Sequence, residues 1–298
     1  MKKKTKIFIF NPYPALGGVD TTIKKFISSL PEKFQIEYLS LKKTENFKKH
    51  NIKNTVIKSN STFKSFFKIY KIFDNDKHER KIFFSIQYFV NVWSIIFIKL
   101  FLKEKLFIYE VNHLNELEYY FGLKDFIKKN IIKLLVKVLY KYPDIIAANS
   151  QELSEDLEKY TGRKIFTLYN PCFEKVKTRR KNYKSKNIIN ILNIARFEDQ
   201  KDHLTLLRAI NILKIKNKIN LTLVGYGNNY QKIKDFTKKN RIKAKIILNE
   251  KKIEKYYKKA DLYICSSLYE GLPTTVIEAA SNCVPIICSD FKSGSNEI

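Results

Sequence analysis

Cysteine is scarce in this 298-residue chain, which holds only four. They form no Cys-x-x-Cys pair and show no spacing typical of a metal site. Three of them, Cys265, Cys283 and Cys288, lie in apolar strand-like or helix-end segments. The pattern predicts reduced thiols in a protein core and an intracellular setting.

Arginine is also rare, because seven of the 57 basic residues are arginine and the rest are lysine. Proteins that read nucleic-acid bases commonly use arginine for that purpose, so a nucleic-acid binder is disfavoured. The net charge of +28 leaves two interpretations open. It reflects either the lysine-rich composition of an AT-rich genome or attraction to an anionic membrane or to phosphorylated substrates.

Long apolar runs are missing as well. The basic N-terminus, MKKKTKIFIFNPYP, has only four consecutive apolar residues and no small-residue cleavage site, so it does not resemble a signal peptide. The most apolar window, residues 83–102, is interrupted by Gln87, Asn91 and Lys99. We interpret this window as a buried strand followed by a helix rather than a membrane span.

Short β-branched or aromatic runs alternate with longer amphipathic runs along the whole chain, for example KIFIFN, then VDTTIKKFISSL, then FQIEYLSL. A long helical region is predicted over 115–142. This alternation predicts an α/β fold with mainly parallel sheets. The basic, polar segment 174–187 breaks the pattern. We therefore predict an N-terminal Rossmann-like domain over 1–172, a linker over 173–187 and a second Rossmann-like domain over 188–298.

Ligands of such sheets bind outside the carboxyl ends of the strands. That rule selects five places in the sequence: the Gly17-Gly18 loop, His113, Arg196, Gly225 and Glu270. If the two domains face each other, these positions line one cleft.

The segment YEGLPTTVIEAA places Glu270 before a Gly271-Leu272-Pro273 breaker and Glu278 in the helix that follows. The helix start at Thr274 and Thr275 presents free backbone N–H groups, which suit a diphosphate. The two carboxylates could then hold hydroxyl groups on either side of it. The alternative is a capping carboxylate and an exposed helix glutamate.

Arg196 and Lys201 follow another predicted strand and could clamp phosphates together, Arg as a fork and Lys as a point charge. The alternative is two solvated cations in a cationic chain.

The GYGNNY segment has Tyr230 where a dinucleotide fingerprint needs its third glycine, which disfavours a nicotinamide enzyme. His113 is either a structural loop histidine or a functional one, and its position at a strand end favours function.

Taken together, the motifs GGVDTT, VNHLNE, ARFEDQKDHLTLLRA, LVGYGNNYQKI and SLYEGLPTTVIEAAS resemble the retaining GT-B glycosyltransferases of family GT4, also called glycosyl transferases group 1. The resemblance covers almost the whole chain. It implies a hexosyltransferase with two Rossmann-like domains and a cleft between them. The implied reaction moves a sugar from a nucleotide diphosphate donor, with UDP expected, to a cell-surface glycan or lipid-linked precursor. The implied place is the cytoplasm, at the inner face of the cell membrane.

The resemblance also implies roles for individual residues. Arg196 and Lys201 would hold the donor diphosphate, Glu278 its ribose and Glu270 the transferred sugar. His113 would lie near the reaction centre. The remaining donor and acceptor contacts would come from Gly17, Gly18, Gly225, Gly271, Leu272, Thr274 and Thr275. No cofactor and no metal ion is expected, since cations and a helix N-terminus would stabilise the leaving group.

Family members usually continue beyond the point that corresponds to Ile298. The second domain is therefore expected to be incomplete, and a non-catalytic remnant or partner subunit is the alternative to an active enzyme. A further expectation concerns FKSFFKIYKIF, in which aromatic residues alternate with lysines. This segment is either an interfacial membrane helix or a core helix whose lysines extend to solvent.

Overall fold

The computed structural model describes residues 5–14, 18–43, 52–171, 188–213, 215 and 218–298. The described chain forms two compact units that part after Pro171. The predicted linker over 173–187 lies outside the described residues, as does Gly17.

The first unit contains a seven-stranded parallel sheet with the order β3-β2-β1-β4-β5-β6-β7. Its strands are β1 (Thr5–Phe10), β2 (Phe34–Ser40), β3 (Ile52–Val56), β4 (Lys81–Ile86), β5 (Lys105–Glu110), β6 (Ile145–Ala148) and β7 (Phe166–Thr167). Its helices are α1 (Gly18–Ser29), α2 (Thr62–Asp74), α3 (Tyr88–Ser94), which continues as a π-helix (Ile95–Phe101), α4 (Leu123–Leu139) and α5 (Gln151–Thr161).

Helices cover both faces of this sheet, which explains why its central strands are apolar without alternation. In β1, Phe8 and Phe10 pack into the core beneath α2, α3 and the π-helix. Ile7 and Ile9 point to the other face, where Ile23 and Ile27 of α1 cover them. Both faces of the strand are therefore closed to solvent.

The second unit contains a five-stranded parallel sheet with the order β10-β9-β8-β11-β12. Its strands are β8 (Ile189–Ile194), β9 (Ile219–Gly225), β10 (Ala244–Leu248), β11 (Leu262–Cys265) and β12 (Ile286–Cys288). Its helices are α6 (His203–Ile212), α7 (Tyr230–Lys239), α8 (Glu254–Lys259) and α9 (Thr274–Ser281). The predicted α/β class with two Rossmann-like sheets is confirmed.

The helical region predicted over 115–142 is confirmed by α4 but is interrupted in its first part. Leu114–Leu117 forms a 3-10 turn, and α4 begins only at Leu123. Gly122 is the N-cap residue of α4, and its φ of 128° lies outside the helical region. Glycine adopts that conformation without the steric cost that other residues carry.

The apolar window 83–102 forms the end of β4, α3 and the π-helix, as the predicted strand followed by a helix requires. Within the described residues, no helix combines the length and the apolar composition needed to cross a membrane. Cys265 is buried, Cys283 and Cys288 are half-buried, and none of these three cysteines is in a disulfide.

Candidate functional site

The strand order of the second sheet reverses between β8 and β11. From β8 the chain continues through β9 and β10 on one side, and β11 and β12 lie on the other. The loops that leave two such strands diverge and open a crevice, which is where parallel sheets bind ligands. The loop after β8 carries Arg196 and Lys201, and the loop after β11 carries Glu270. Three predicted site residues therefore lie at this crevice.

Lys201 and Glu270 form an ion pair between these two loops through Lys201 Nζ and Glu270 Oε1. Their side chains are only 15% and 10% exposed. The same Glu270 oxygen accepts a hydrogen bond from Ser267 Oγ at 2.7 Å. Since the carboxylate is held by two partners, its position is fixed before any ligand arrives.

Gln200 ties the same two loops together. Its side chain donates from Nε2 to the backbone carbonyl of Tyr269 at 2.8 Å. The backbone carbonyl of Gln200 accepts a hydrogen bond from the backbone N–H of Leu268. Its Oε1 accepts a hydrogen bond from the guanidinium of exposed Arg196 at 3.1 Å. Gln200 is not among the site residues predicted from the sequence, although it lies between Arg196 and Lys201.

The N-terminus of α9 lies directly after the Gly-Leu-Pro breaker, as predicted. The backbone N–H groups of Val276 and Ile277 donate to the carbonyl of Pro273 at 3.0 and 3.3 Å. Pro273 supplies no capping side chain, so the first turn at Thr274 and Thr275 is not closed from that position. A helix start of this kind attracts anions.

A turn that contains Ser293 and Gly294 packs against the Gly271-Leu272-Pro273 segment. Ser293 Oγ donates to the carbonyl of Gly271 at 2.9 Å. At Gly294, whose φ is 79°, an added Cβ would lie 2.2 Å from that same carbonyl oxygen. Only glycine allows this approach. Gly271 and Leu272 are buried, so their role is to shape the crevice through the backbone.

Glu278 is anchored by a tyrosine that the sequence analysis did not select. Tyr257 of α8 lies with its hydroxyl 2.9 Å from Glu278 Oε2 and 3.2 Å from the carbonyl of Thr275. Burial raises the pKa of Tyr257 well above its usual range, and the neighbouring Glu278 adds to the rise. The phenol therefore stays protonated and donates to this carboxylate.

Gly225 is required by packing. A Cβ at this position would lie 1.9 Å from the carbonyl oxygen of Ala195 and 3.1 Å from the ring of Phe197. The glycine lets the end of β9 pass directly beside the loop that carries Arg196. The structure thus gives Gly225 a role that needs no ligand contact, and its predicted donor contact stays a prediction.

His203 lies behind Lys201 and also escaped the sequence analysis. Burial, with a smaller contribution from the positive charge of Lys201, lowers the pKa of His203 to about 4. Within the described residues neither ring nitrogen has a hydrogen-bond partner, and the ring packs edge-on against Phe197 at 5.0 Å. The histidine is neutral, and its buried ring packs like an apolar side chain.

His113 belongs to the first unit, at the carboxyl end of β5, and is buried. Its Nδ1 accepts a hydrogen bond from the backbone N–H of Asn115 at 3.1 Å. Its Nε2 must then carry the proton, which it donates to Asp156 Oδ2 at 2.8 Å. Both ring nitrogens are engaged within the protein, which fits the structural alternative for this residue. Gly18 is the exposed first residue of α1.

A buried carboxyl group lies three residues before His113. Glu110 Oε1 accepts hydrogen bonds from Tyr140 Oη and from Asn91 Nδ2, while Oε2 has no partner in the part of the chain that the structure describes. Burial raises the pKa of Glu110 well above its usual range. We infer a neutral carboxyl group, which makes this a structural network. Across the described residues, no three His, Cys, Asp or Glu side chains are grouped as a metal site.

Comparison with known proteins finds a family match in the part of the chain that contains this crevice. Residues 174–298, which are 125 of the 298 residues, match the family model Glycosyl transferases group 1. An uncharacterised glycosyltransferase of Methanocaldococcus jannaschii is 30% identical over 195 residues, which are 59% of this chain and 47% of that protein. The chain thus spans about half the length of this relative.

A relative with wider coverage is the Campylobacter jejuni GalNAc-alpha-(1->4)-GalNAc-alpha-(1->3)-diNAcBac-PP-undecaprenol alpha-1,4-N-acetyl-D-galactosaminyltransferase. It is 24% identical over 297 residues, which cover 95% of this chain and 78% of that enzyme. Among solved structures, Anabaena HepE in complex with UDP-glucose superposes with a TM-score of 0.73 at 15% identity, covering 98% of this chain and 82% of HepE. The fold is GT-B.

Proposed function

We propose that this chain is a retaining glycosyltransferase. It moves a hexose from a nucleotide diphosphate sugar, UDP being the expected nucleotide, to a cell-surface glycan or lipid-linked precursor. The observation that carries the proposal is the fixed Lys201–Glu270 pair at the β8/β11 crevice of a group 1 domain. The UDP-glucose complex of HepE supports the donor class. The undecaprenol-linked glycan in the name of the Campylobacter relative supports the acceptor class.

The donor diphosphate would lie between the cations of the β8 loop and the first turn of α9. Lys201 would then interact with the phosphates as well as with Glu270. Because Ser267 also holds Glu270, that carboxylate keeps its position when Lys201 turns towards the phosphates. Glu270 becomes a free acceptor for hydroxyl groups of the sugar. Charge at the leaving diphosphate would be stabilised by Arg196, Lys201 and the helix N-terminus, with no metal ion.

The ribose would be bound by Glu278, whose carboxylate is supported by a hydrogen bond from Tyr257 to Oε2. An ionised carboxylate accepts hydrogen bonds from hydroxyl groups, which suits the two neighbouring hydroxyls of a ribose. His113 is proposed near the transferred sugar. To donate to a sugar hydroxyl it would turn Nε2–H away from Asp156, whose side chain is 32% exposed and can be solvated instead.

We also propose that the enzyme acts in the cytoplasm, at the inner face of the cell membrane, and the undecaprenol-linked glycan in the name of the Campylobacter relative supports this setting. Retention of configuration is proposed without a protein nucleophile. The bond from the sugar to the diphosphate would break and the bond to the acceptor oxygen would form on the same face of the sugar, and the proton of the acceptor hydroxyl would pass to the leaving diphosphate.

The test is calorimetric titration of the purified chain with UDP and UDP-sugars, in EDTA and in Mn²⁺. We expect binding that is equal in both buffers and that Arg196→Ala weakens. Arg208→Ala is the matched control, since Arg208 is an exposed arginine on α6. Binding that appears only with Mn²⁺ would overturn the metal-independent donor site. Normal UDP-sugar binding without hydrolysis or transfer to a lipid-linked glycan would instead favour the non-catalytic partner subunit.

A further inference from the structure

Helix α4 in the first unit is apolar on two opposite sides. Ile132, Val136 and Leu139 are buried in the core. A second set of apolar side chains is exposed to solvent, and we call it the α4 stripe: Leu123 (73% exposed), Ile127 (50%), Ile131 (52%), Leu134 (61%) and Val138 (48%). At about 100° per residue, the stripe spans about 80° of the helix circumference and lies opposite the buried set.

Lysines border the α4 stripe on both sides. Lys124 and Lys128 lie along one edge and Lys137 along the other, and all three are exposed. The only acidic residue of α4 is Asp125, which is half-buried and paired with Lys129 at 3.0 Å. The exposed side of the helix is therefore an apolar strip with exposed lysine on both borders.

An aromatic ridge extends this surface towards α2. Lys128 Nζ lies 4.4 Å from the ring centre of Phe89, and Phe89 contacts Trp93 at 6.3 Å. Trp93 in turn packs on Phe63 at 4.4 Å, and Phe63 on Phe67 at 5.7 Å. Phe63 and Phe67 are 38% and 54% exposed. A chain of ring contacts thus connects Lys128, beside the stripe, with the two exposed phenylalanines of α2.

The two interpretations of the FKSFFKIYKIF segment apply to different residues. Phe66 and Phe73 are fully buried, so the core-helix interpretation is right for them. Only Phe63 and Phe67 stay exposed, and they belong to the ridge. The larger exposed apolar surface is on α4, which the sequence analysis treated as an ordinary long helix.

We propose that the α4 stripe, its bordering lysines and the aromatic ridge bind the surface of an anionic lipid bilayer. An exposed apolar strip of this length is unusual on a protein surface and marks an interaction site. Lysine on both borders suits a partner that is apolar inside and negatively charged at its rim, as an anionic bilayer is. A second copy of the chain would instead bring like-charged borders together. The proposal extends the proposed function, on which it rests only for its cellular setting.

The experiment is co-sedimentation of the full chain with vesicles of phosphatidylglycerol and phosphatidylcholine in equal parts, and with phosphatidylcholine alone. We expect binding to the mixed vesicles that weakens steeply with salt and is much weaker on the neutral vesicles. The double variant Ile127→Gln/Ile131→Gln should lower the partition coefficient about tenfold or more, because both side chains would enter the interface. Both positions are solvent-exposed, so folding is preserved.

Ile212→Gln/Ile215→Gln is the matched control, since these two isoleucines of the second unit are 80% and 44% exposed. It should bind vesicles like the wild type. Lys124→Gln/Lys128→Gln should lower binding about fivefold per lysine on the mixed vesicles only. The control Lys238→Gln/Lys239→Gln, on α7, should have a clearly smaller effect.

Vesicle binding that is unchanged by the α4 variants, or that is equal on neutral and anionic lipid, would overturn the proposal. Self-association in sedimentation velocity that Ile127→Gln/Ile131→Gln abolishes, without vesicle binding, would assign the face to a second copy of the chain and overturn it too. UDP titration of each variant separates this proposal from the donor site. The α4 variants should bind UDP like the wild type, whether or not the protein is a transferase.

Discussion

Lys201 and Glu270 are 69 positions apart in sequence and form an ion pair across the point where the strand order of the second sheet reverses. The pair joins the loop after β8 to the loop after β11, and both side chains are largely buried. It therefore has two consequences that can be measured separately, one for stability and one for donor binding.

For stability, Lys201→Met should destabilise the second unit by about 3 kcal/mol, because it leaves a buried carboxylate without its cation. Glu270→Gln should recover part of that loss in the double variant. Chemical denaturation of the four proteins gives the coupling energy, expected to be about 0.5–3 kcal/mol. The more exposed pair Lys133–Glu118 serves as control, with a coupling below about 1 kcal/mol. Equal couplings for the two pairs would contradict the prediction.

For nucleotide binding, Glu278→Gln should weaken the affinity for UDP by about 1–3 kcal/mol, since a charged acceptor for the ribose hydroxyls is lost. Tyr257→Phe should have a smaller effect, because the carboxylate stays and loses only its support. Glu254→Gln, an exposed glutamate on α8, is the control. If Glu278→Gln and Glu254→Gln bind UDP equally, the ribose role is wrong.

Stability should fall in mild acid because of His203. Its pKa is about 4 in the folded protein against 6.5 in the unfolded chain, so the unfolded state takes up the proton first. This contribution is present above pH 6.5 and is lost progressively as pH falls to about 4, by about 3 kcal/mol at most. His203→Leu should remove this part of the pH profile of unfolding. His78→Gln, which alters a half-exposed histidine, should retain it.

Glu110 should make the protein less stable as pH rises, which is opposite to the effect of His203. Its pKa is raised by burial, so the neutral form is present in the fold while the unfolded chain ionises from about pH 4.5 upwards. The contribution of Glu110 to the free energy of unfolding is fully present below that pH, and it is lost as pH rises towards the raised pKa. Glu110→Gln should flatten the decline of stability with rising pH. An unchanged profile would show that the folded protein holds an ionised Glu110.

Gly225→Ala should destabilise the second unit by about 3 kcal/mol, because the new methyl group would overlap the carbonyl of Ala195. Gly162→Ala is the control. Gly162 has a φ of 67° but no atom within 4 Å of the added Cβ, so only the backbone cost of about 1 kcal/mol applies. A thermal melt that ranks the two variants the other way would contradict the packing role of Gly225.

The sequence by itself determined the local elements and the positions where strands end. The apolar runs and their periods predicted both sheets, and strand ends selected Arg196 and Glu270, since the carboxyl end of a strand can be identified from a few neighbouring residues. The sequence could not show the break at Gly122, because a glycine in a helical pattern signals only the possibility of such a conformation.

Only the tertiary structure decided which of these positions meet. Tyr257 reaches Glu278 and Asp156 reaches His113 across 21 and 43 positions of sequence, through helices packed against the same sheet. Gly225 is needed because β9 lies beside the loop after β8, and α4 keeps an apolar side exposed because the sheet can cover only one side of it. Hydrophobic periodicity records how each element is buried, but partners distant in sequence are set by strand order and packing.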